Sequence, residues 1–164
     1  MTDKLKVLII DDHPLMRRGI KQLVELEEGF EVVGGAGNGS EGISLALQTS
    51  PDLIILDLNM KGLSGLDTLK ALRSEGVDAR IVILTVSDAR SDIFTLIDAG
   101  ADGYLLKDTE PDTLLSQLKR IAQGEVILSD SIKDLLIERQ SSQEPIYSLT
   151  DREMDVLRLI ATGL

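Results

Sequence analysis

Three unbroken apolar runs, Val7-Leu8-Ile9-Ile10, Leu53-Ile54-Ile55-Leu56 and Ile81-Val82-Ile83-Leu84, constrain this chain more than any other feature. A strand with one face in water alternates polar and apolar side chains. A strand that is apolar at every position has both faces covered, as in the centre of a parallel sheet layered between helices. The three runs belong to a longer rhythm that holds up to Gly124. Apolar stretches at Leu5 to Ile10, Glu31 to Ala36, Asp52 to Leu58, Arg80 to Val86 and Asp102 to Leu106 are each followed by a turn and an amphipathic segment. The second and fifth are weaker and read as peripheral strands. Helical spacing marks one face at Met16, Ile20, Leu23 and Val24, and another at Leu66, Leu69 and Leu72. It recurs at Ile93, Leu96 and Ile97, and at Leu114, Leu115, Leu118 and Ile121. Gly100 and Gly124 suit helix ends. Five βα units predict an α/β fold built on a five-stranded, doubly wound parallel sheet.

After Gly124 the rhythm stops. Ser129 to Arg139 can form a short helix with Ile132, Leu135 and Leu136 on one side. Gln140-Ser141-Ser142-Gln143-Glu144-Pro145 has no apolar face and reads as linker. Thr150-Asp151-Arg152-Glu153 has the capping-box pattern and opens a helix carrying Met154, Val156, Leu157 and Ile160. One helix behind a linker cannot bury its own apolar face. The expected division is therefore a domain over 1–124, a linker with a short helix over 125–148, and the opening of a second, truncated domain over 149–164.

Composition removes several function classes. The chain has 164 residues and no cysteine, which excludes a disulfide framework, a thiolate zinc site and a cysteine nucleophile. Its one histidine, His13, cannot by itself build a metal site or a catalytic triad. Followed by Pro14, it reads as a helix-entry residue. A net charge of −11 opposes a polyanion, and two Phe with two Tyr give too few aromatics for a base-stacking surface. No apolar run reaches the roughly 18 residues that span a bilayer, and Met1-Thr2-Asp3-Lys4 opens no signal segment. A soluble, cytoplasmic protein is expected.

In an open α/β sheet, ligands bind beyond the carboxyl ends of the strands, where the strand order reverses. Asp11 and Asp12 follow the first apolar run, Asp57 ends the third, Thr85 lies at the end of the fourth, and Lys107 follows the fifth. With the order 2-1-3-4-5 all five groups converge on one edge. Close carboxylates repel unless a cation joins them, and a hard oxygen set suits Mg²⁺. A carboxylate is a nucleophile towards phosphorus, a lysine ammonium pairs with a phosphoryl group, and a threonine hydroxyl donates to it. The set is complete for phosphoryl acceptance by Asp57. Each residue taken singly has an ordinary role open to it. Asp11 and Asp12 can cap a helix, Asp57 can sit in a turn, Thr85 can be a strand residue and Lys107 a solvated surface lysine. Tyr104 alone reads as core or half-buried surface.

Ile9-Ile10-Asp11-Asp12-His13-Pro14, Leu56-Asp57-Leu58-Asn59-Met60, Thr85 and Gly103-Tyr104-Leu105-Leu106-Lys107-Asp108 together resemble a response-regulator receiver domain, over residues 5–124. Leu149-Thr150-Asp151-Arg152-Glu153, with Val156-Leu157 and Ile160-Ala161-Thr162-Gly163, resembles the start of a LuxR-type helix-turn-helix domain. The pair is similar to the NarL/FixJ family. Pro14-Leu15-Met16-Arg17-Arg18-Gly19 and Met60-Lys61-Gly62-Leu63-Ser64-Gly65-Leu66-Asp67 point to its nitrate/nitrite-responsive members.

The resemblance implies a flavodoxin-like receiver in a two-component regulator of transcription. Asp57 would be the phosphoacceptor, supplied by a sensor histidine kinase. Mg²⁺ would be held by Asp12, Asp57 and the Asn59 backbone carbonyl, with Asp11 acting mainly through water. Thr85 and Lys107 would contact the phosphoryl group, and the rotamer of Tyr104 would follow Thr85. DNA would be a partner of the full-length C-terminal domain and not of this fragment, and a homodimer is allowed. Such a protein is a phosphoacceptor regulator, with at most slow self-phosphorylation and self-dephosphorylation. Asn59 and Ser87 occupy positions that tune phosphoryl lifetime. Two positions depart from the commoner pattern: Lys61 stands where proline is usual, and Asp108 where proline often follows the lysine. Neither removes a reacting group.

Two other readings use the same sheet. A Mg²⁺-dependent phosphohydrolase of the haloacid-dehalogenase-like group has an aspartyl nucleophile, but it places two aspartates two residues apart after the first strand, whereas Asp11 and Asp12 are adjacent. A flavodoxin-like binding module needs a phosphate-cradling glycine loop, and Gly34-Gly35-Ala36-Gly37 follows the weak second strand instead.

Overall fold

A computed structural model describes residues 4–58, 60, 62–85, 95–107, 109–125 and 127–128. Each apolar run forms a strand: β1 (Leu5–Ile10), β2 (Phe30–Ala36), β3 (Leu53–Asp57), β4 (Arg80–Thr85) and β5 (Gly103–Leu106). All pair in parallel, in the order β2-β1-β3-β4-β5. A two-residue strand, β6 (Ile127–Leu128), extends the sheet by one strand beyond the five expected. It pairs Gly103 with Ile127 and Tyr104 with Leu128. It comes from the stretch assigned to the linker. The physical reason is the outer edge of β5, whose backbone N–H and C=O groups take a partner strand there.

The helices are α1 (Pro14–Glu25), α2 (Gly39–Thr49), α3 (Gly65–Ser74) and α4 (Pro111–Ala122), and residues 95–98 are also helical. Their starts follow local chemistry. Pro14 and Pro111 take the first turn, where the missing N–H costs nothing. Asn38 Oδ1 accepts the Glu41 amide at 2.8 Å, and Ser64 Oγ accepts the Asp67 amide at 3.1 Å. The second of these caps places α3 directly behind the end of β3. α2 fills the second βα unit, for which the sequence reading named no individual face residues. Its small residues Gly42 and Ala46 are buried, and Ile43 and Leu45 pack beside them against the core.

Strand alternation divides the core in two. Leu8, Ile10, Ile54, Leu56, Ile81, Ile83 and Tyr104 point to the face covered by α2, α3 and the 95–98 turn, with Ala46, Leu69, Leu72, Leu96 and Ile97. Val7, Ile9, Leu53, Ile55, Val82, Leu84 and Leu105 point to the other face, covered by α1 and α4 through Ile20, Val24, Leu114, Leu118 and Ile121. The predicted faces at 16–24, 66–72 and 114–121 are thus the buried ones, although Met16 itself is exposed. Ile93, Val86, Asn59, Lys61, Ser87 and Asp108, the expected helix over 129–139, the polar linker and the helix opening at Thr150 lie outside the described residues. No described helix is long and apolar enough to cross a membrane.

Candidate functional site

The strand order reverses between β1 and β3, so the chain leaves their carboxyl ends in opposite directions and a crevice opens there. Asp11 and Asp12 follow β1 at this point, and Asp57 is the last residue of β3. Asp11 and Asp57 are almost fully buried, with side chains only 2% exposed; Asp12 is more open. Lys107 follows β5 and reaches back across the sheet edge. Its Nζ lies 3.1 Å from Asp57 Oδ1 and 3.2 Å from Asp11 Oδ2. One ammonium therefore bridges two buried carboxylates from different strand ends, and Lys107 is 96 residues along the chain from Asp11.

The backbone fixes these groups. The Asp11 amide donates to the Ala36 carbonyl of β2 at 3.0 Å, and the Lys107 amide donates to the Thr85 carbonyl at 2.7 Å. The second bond ties the ends of β4 and β5 together beside the site. Thr85 is fully buried and Tyr104 nearly so. Thr85 shares strand parity with Ile81 and Ile83, so it faces the same side of the sheet as Tyr104, which pairs with Ile83. Beneath Asp57, the Gly65 amide donates to the Leu58 carbonyl at 3.0 Å. A Cβ on Gly65 would fall 2.5 Å from the Asp57 carbonyl oxygen. Glycine is required there because the start of α3 lies directly against the backbone that carries Asp57.

The structure thus brings Asp11, Asp12, Asp57 and Lys107 together and sets Thr85 at the adjoining strand end. Asn59 falls outside the described residues. Two residues enter that the sequence reading did not place in the site. Arg17 Nη1 donates to the Asp11 carbonyl at 2.7 Å, pinning the loop from one turn inside α1. His13 is the helix-entry residue expected, in extended conformation before Pro14, yet its side chain caps nothing. Its Nδ1 lies instead 2.9 Å from Asp12 Oδ1, 3.2 Å from Asp11 Oδ1 and 3.8 Å from Asp57 Oδ2. The signal for His13 was its adjacency to the paired aspartates; the direction of its ring was not legible.

Ligand atoms of Asp11, Asp12, His13 and Asp57 all lie within 4.8 Å of one another. Among the described residues, the three carboxylates of the cluster face the Lys107 ammonium, which leaves the cluster an excess of negative charge. A hard divalent cation fits that donor set and charge.

Comparison with known proteins gives a consistent result. The family model described as "Response regulator receiver domain" matches residues 7–119. The "Nitrate/nitrite response regulator protein homolog" of Haemophilus influenzae is 80% identical over 164 residues, which is all of this chain and 79% of that protein. The "Nitrate/nitrite response regulator protein NarP" of Escherichia coli is 56% identical over 97% of this chain and 75% of its own length. Among solved structures, a two-component response regulator of the LuxR family from Aurantimonas superposes with a TM-score of 0.79 at 28% identity, covering 85% of this chain and 100% of that one. Neither the phosphohydrolase nor the flavin-binding alternative is favoured by these matches. The receiver fold, the family model over most of the chain and relatives matched along nearly all of it lead to one conclusion: this chain belongs to the response regulator receiver family, among the NarL/LuxR-type two-component regulators of transcription.

Proposed function

We propose that Asp57 is the phosphoacceptor of this receiver and that its state of phosphorylation controls a C-terminal DNA-binding domain. The observation that carries the reading is the Lys107 ammonium held between the buried carboxylates of Asp57 and Asp11 at the strand-order reversal. The donor would be the phosphohistidine of a sensor kinase. An Asp57 carboxylate oxygen forms the new O–P bond as the P–N bond breaks, and the freed imidazole leaves with the electron pair and takes a proton. Lys107 pairs with the phosphoryl oxygens, and the Thr85 hydroxyl donates to one of them. Mg²⁺ would be held by Asp12, Asp57 and the Asn59 carbonyl, with Asp11 through water, and would supply charge neutralisation for the phosphoryl oxygens. The chain's own part is positional: Arg17 and the β2 carbonyl hold the Asp11 loop, and Gly65 backs the Asp57 backbone.

Drawing Thr85 towards a phosphoryl group changes the space beside it, and the Tyr104 side chain, on the same face, follows. A two-state receiver biased in this way exposes or releases its output domain, or dimerises. That domain would begin within 149–164 after a linker over 125–148 and would meet DNA through a recognition helix. The relatives named for nitrate and nitrite make that response the leading assignment for the input. The protein acts in the cytoplasm as a regulator, with at most slow self-phosphorylation and self-dephosphorylation.

The test is intact-mass measurement after incubation with acetyl phosphate and Mg²⁺. One phosphoryl group is expected on the wild-type chain and none on Asp57→Asn. An equal adduct on the variant refutes the assignment.

A further inference from the structure

His13 is the one group at the acidic cluster to which phosphoryl chemistry gives no task. It is the chain's only histidine and stands at the entry to α1, a position from which its side chain could accept a helix amide, but it does not. The His13 backbone N–H donates to Asp11 Oδ1 at 2.9 Å, which turns the residue back over the cluster. Its Nδ1 then lies 2.9 Å from one Asp12 oxygen, 3.2 Å from one Asp11 oxygen and 3.8 Å from one Asp57 oxygen. Donor atoms bound to a common ion at about 2.0–2.2 Å lie roughly 3 Å apart when adjacent in its shell, so these separations suit neighbouring ligands.

Resting on the reading of this cluster as a cation site, we infer that His13 Nδ1 is a fourth, nitrogen ligand, and that it makes the site take borderline first-row ions such as Ni²⁺ in preference to Mg²⁺. Carboxylate and carbonyl oxygens alone suit Mg²⁺, whereas imidazole suits nickel, copper and zinc. Mg²⁺ sheds its waters reluctantly and gains little from an imidazole. A borderline ion gains a nitrogen ligand already in place. The side chain is 65% exposed, so the ring can turn onto a bound ion or away from it without disturbing the core. The site would then serve two chemistries: an oxygen-only set for Mg²⁺, and a mixed set for a borderline ion that competes with it.

The experiment uses the untagged chain, because a histidine tag would bind the same ions. Calorimetric titration with Mg²⁺ and with Ni²⁺ is compared for wild type, His13→Ala and Asp12→Ala. Wild type is expected to bind Ni²⁺ more tightly than Mg²⁺. His13→Ala should weaken Ni²⁺ by about tenfold or more, since lost outer-shell partners alone cost about that, and leave Mg²⁺ nearly unchanged. Asp12→Ala should weaken both. Pulsed electron paramagnetic resonance of bound Cu²⁺, a borderline ion that imidazole suits, adds a direct readout: a coupled ¹⁴N nucleus in wild type that vanishes in His13→Ala. Normal Mg²⁺ binding with equal Ni²⁺ affinity in wild type and His13→Ala, and no nitrogen coupling, overturns the role of His13 alone. Failure of wild type to bind either ion, or no effect of Asp12→Ala on either, overturns the cation site itself and the inference with it.

Discussion

Adding a single methyl group to Gly65 tests how the fold aims Asp57. Gly65 opens α3, and a Cβ there would lie 2.5 Å from the Asp57 carbonyl oxygen, 2.6 Å from Leu58 Cα and 2.8 Å from the Leu58 oxygen. All three are backbone atoms, so no side-chain rotation relieves the clash. Ordinary contact begins near 3.4 Å, so Gly65→Ala must push the Asp57–Leu58 backbone away by about 0.6–0.9 Å. Overpacking of this size costs about 1–3 kcal/mol. A domain of ordinary stability, about 5–15 kcal/mol, stays folded after such a loss. Misplacing a reacting group by about 1 Å costs roughly a hundredfold in rate. Gly65→Ala should therefore take up a phosphoryl group from acetyl phosphate about 10–100 times more slowly, with a urea midpoint lowered in line with the packing cost. Gly19→Ala is the control, because it makes the same chemical change inside α1, where a Cβ meets nothing within 4 Å. It should stabilise the chain by about 0.5–1 kcal/mol through backbone entropy and helix propensity, and leave the rate alone. Wild-type stability and wild-type phosphoryl uptake in Gly65→Ala would refute the reasoning.

Arg73 spends its guanidinium on the carbonyls of Val77, Ala79 and Gly100 and on Asp102, which also accepts the Ile81 amide and a bond from Arg80. Arg73→Ala should cost about 3 kcal/mol in urea unfolding, since it takes the guanidinium away from three carbonyls and removes one charged partner of the buried Asp102 carboxylate. Additive losses in a double-mutant cycle with Asp102→Ala would show that the two do not act as a pair. At the end of α4, hydrogen bonds from Arg120 hold the Glu125 carboxyl below its ordinary value. The unfolded carboxyl titrates at the higher value, so this stabilisation is complete above the ordinary carboxylate range and is lost as pH falls through the lower folded value. The group is exposed, so Glu125→Gln should be only slightly less stable than wild type at neutral pH, and the difference should vanish as pH falls through the folded value; a difference that persists unchanged in acid would contradict the assignment. With a net charge of −11, the 164-residue chain should give no sequence-specific shift of promoter DNA in a gel at fixed salt, with or without phosphoryl donor; a tight specific complex would overturn that.

The sequence by itself determined the sheet and the carboxylates of the site. Continuous apolar runs have only one stable place, inside a covered parallel sheet, and once the strand order is set, residues just after those runs must meet at one edge. Asp11, Asp12, Asp57, Thr85 and Lys107 were legible for that reason, because their placement follows from period and topology and needs no side-chain geometry. β6 was not legible, because two residues carry no periodicity and only the open edge of β5 gives them a partner. α2 was legible only as a place in the βα rhythm, and its Asn38 cap and the burial of Gly42 and Ala46 appeared only in the structure. The direction of His13, the grip of Arg17 on the Asp11 carbonyl, the Arg73–Asp102 network and the contact beneath Gly65 were decided by tertiary structure alone. Each depends on distances between segments far apart in sequence or on the rotamer of one side chain, and local pattern carries neither. Propensity and hydrophobic period place the backbone; which polar atoms then face one another is settled only when the layers have packed.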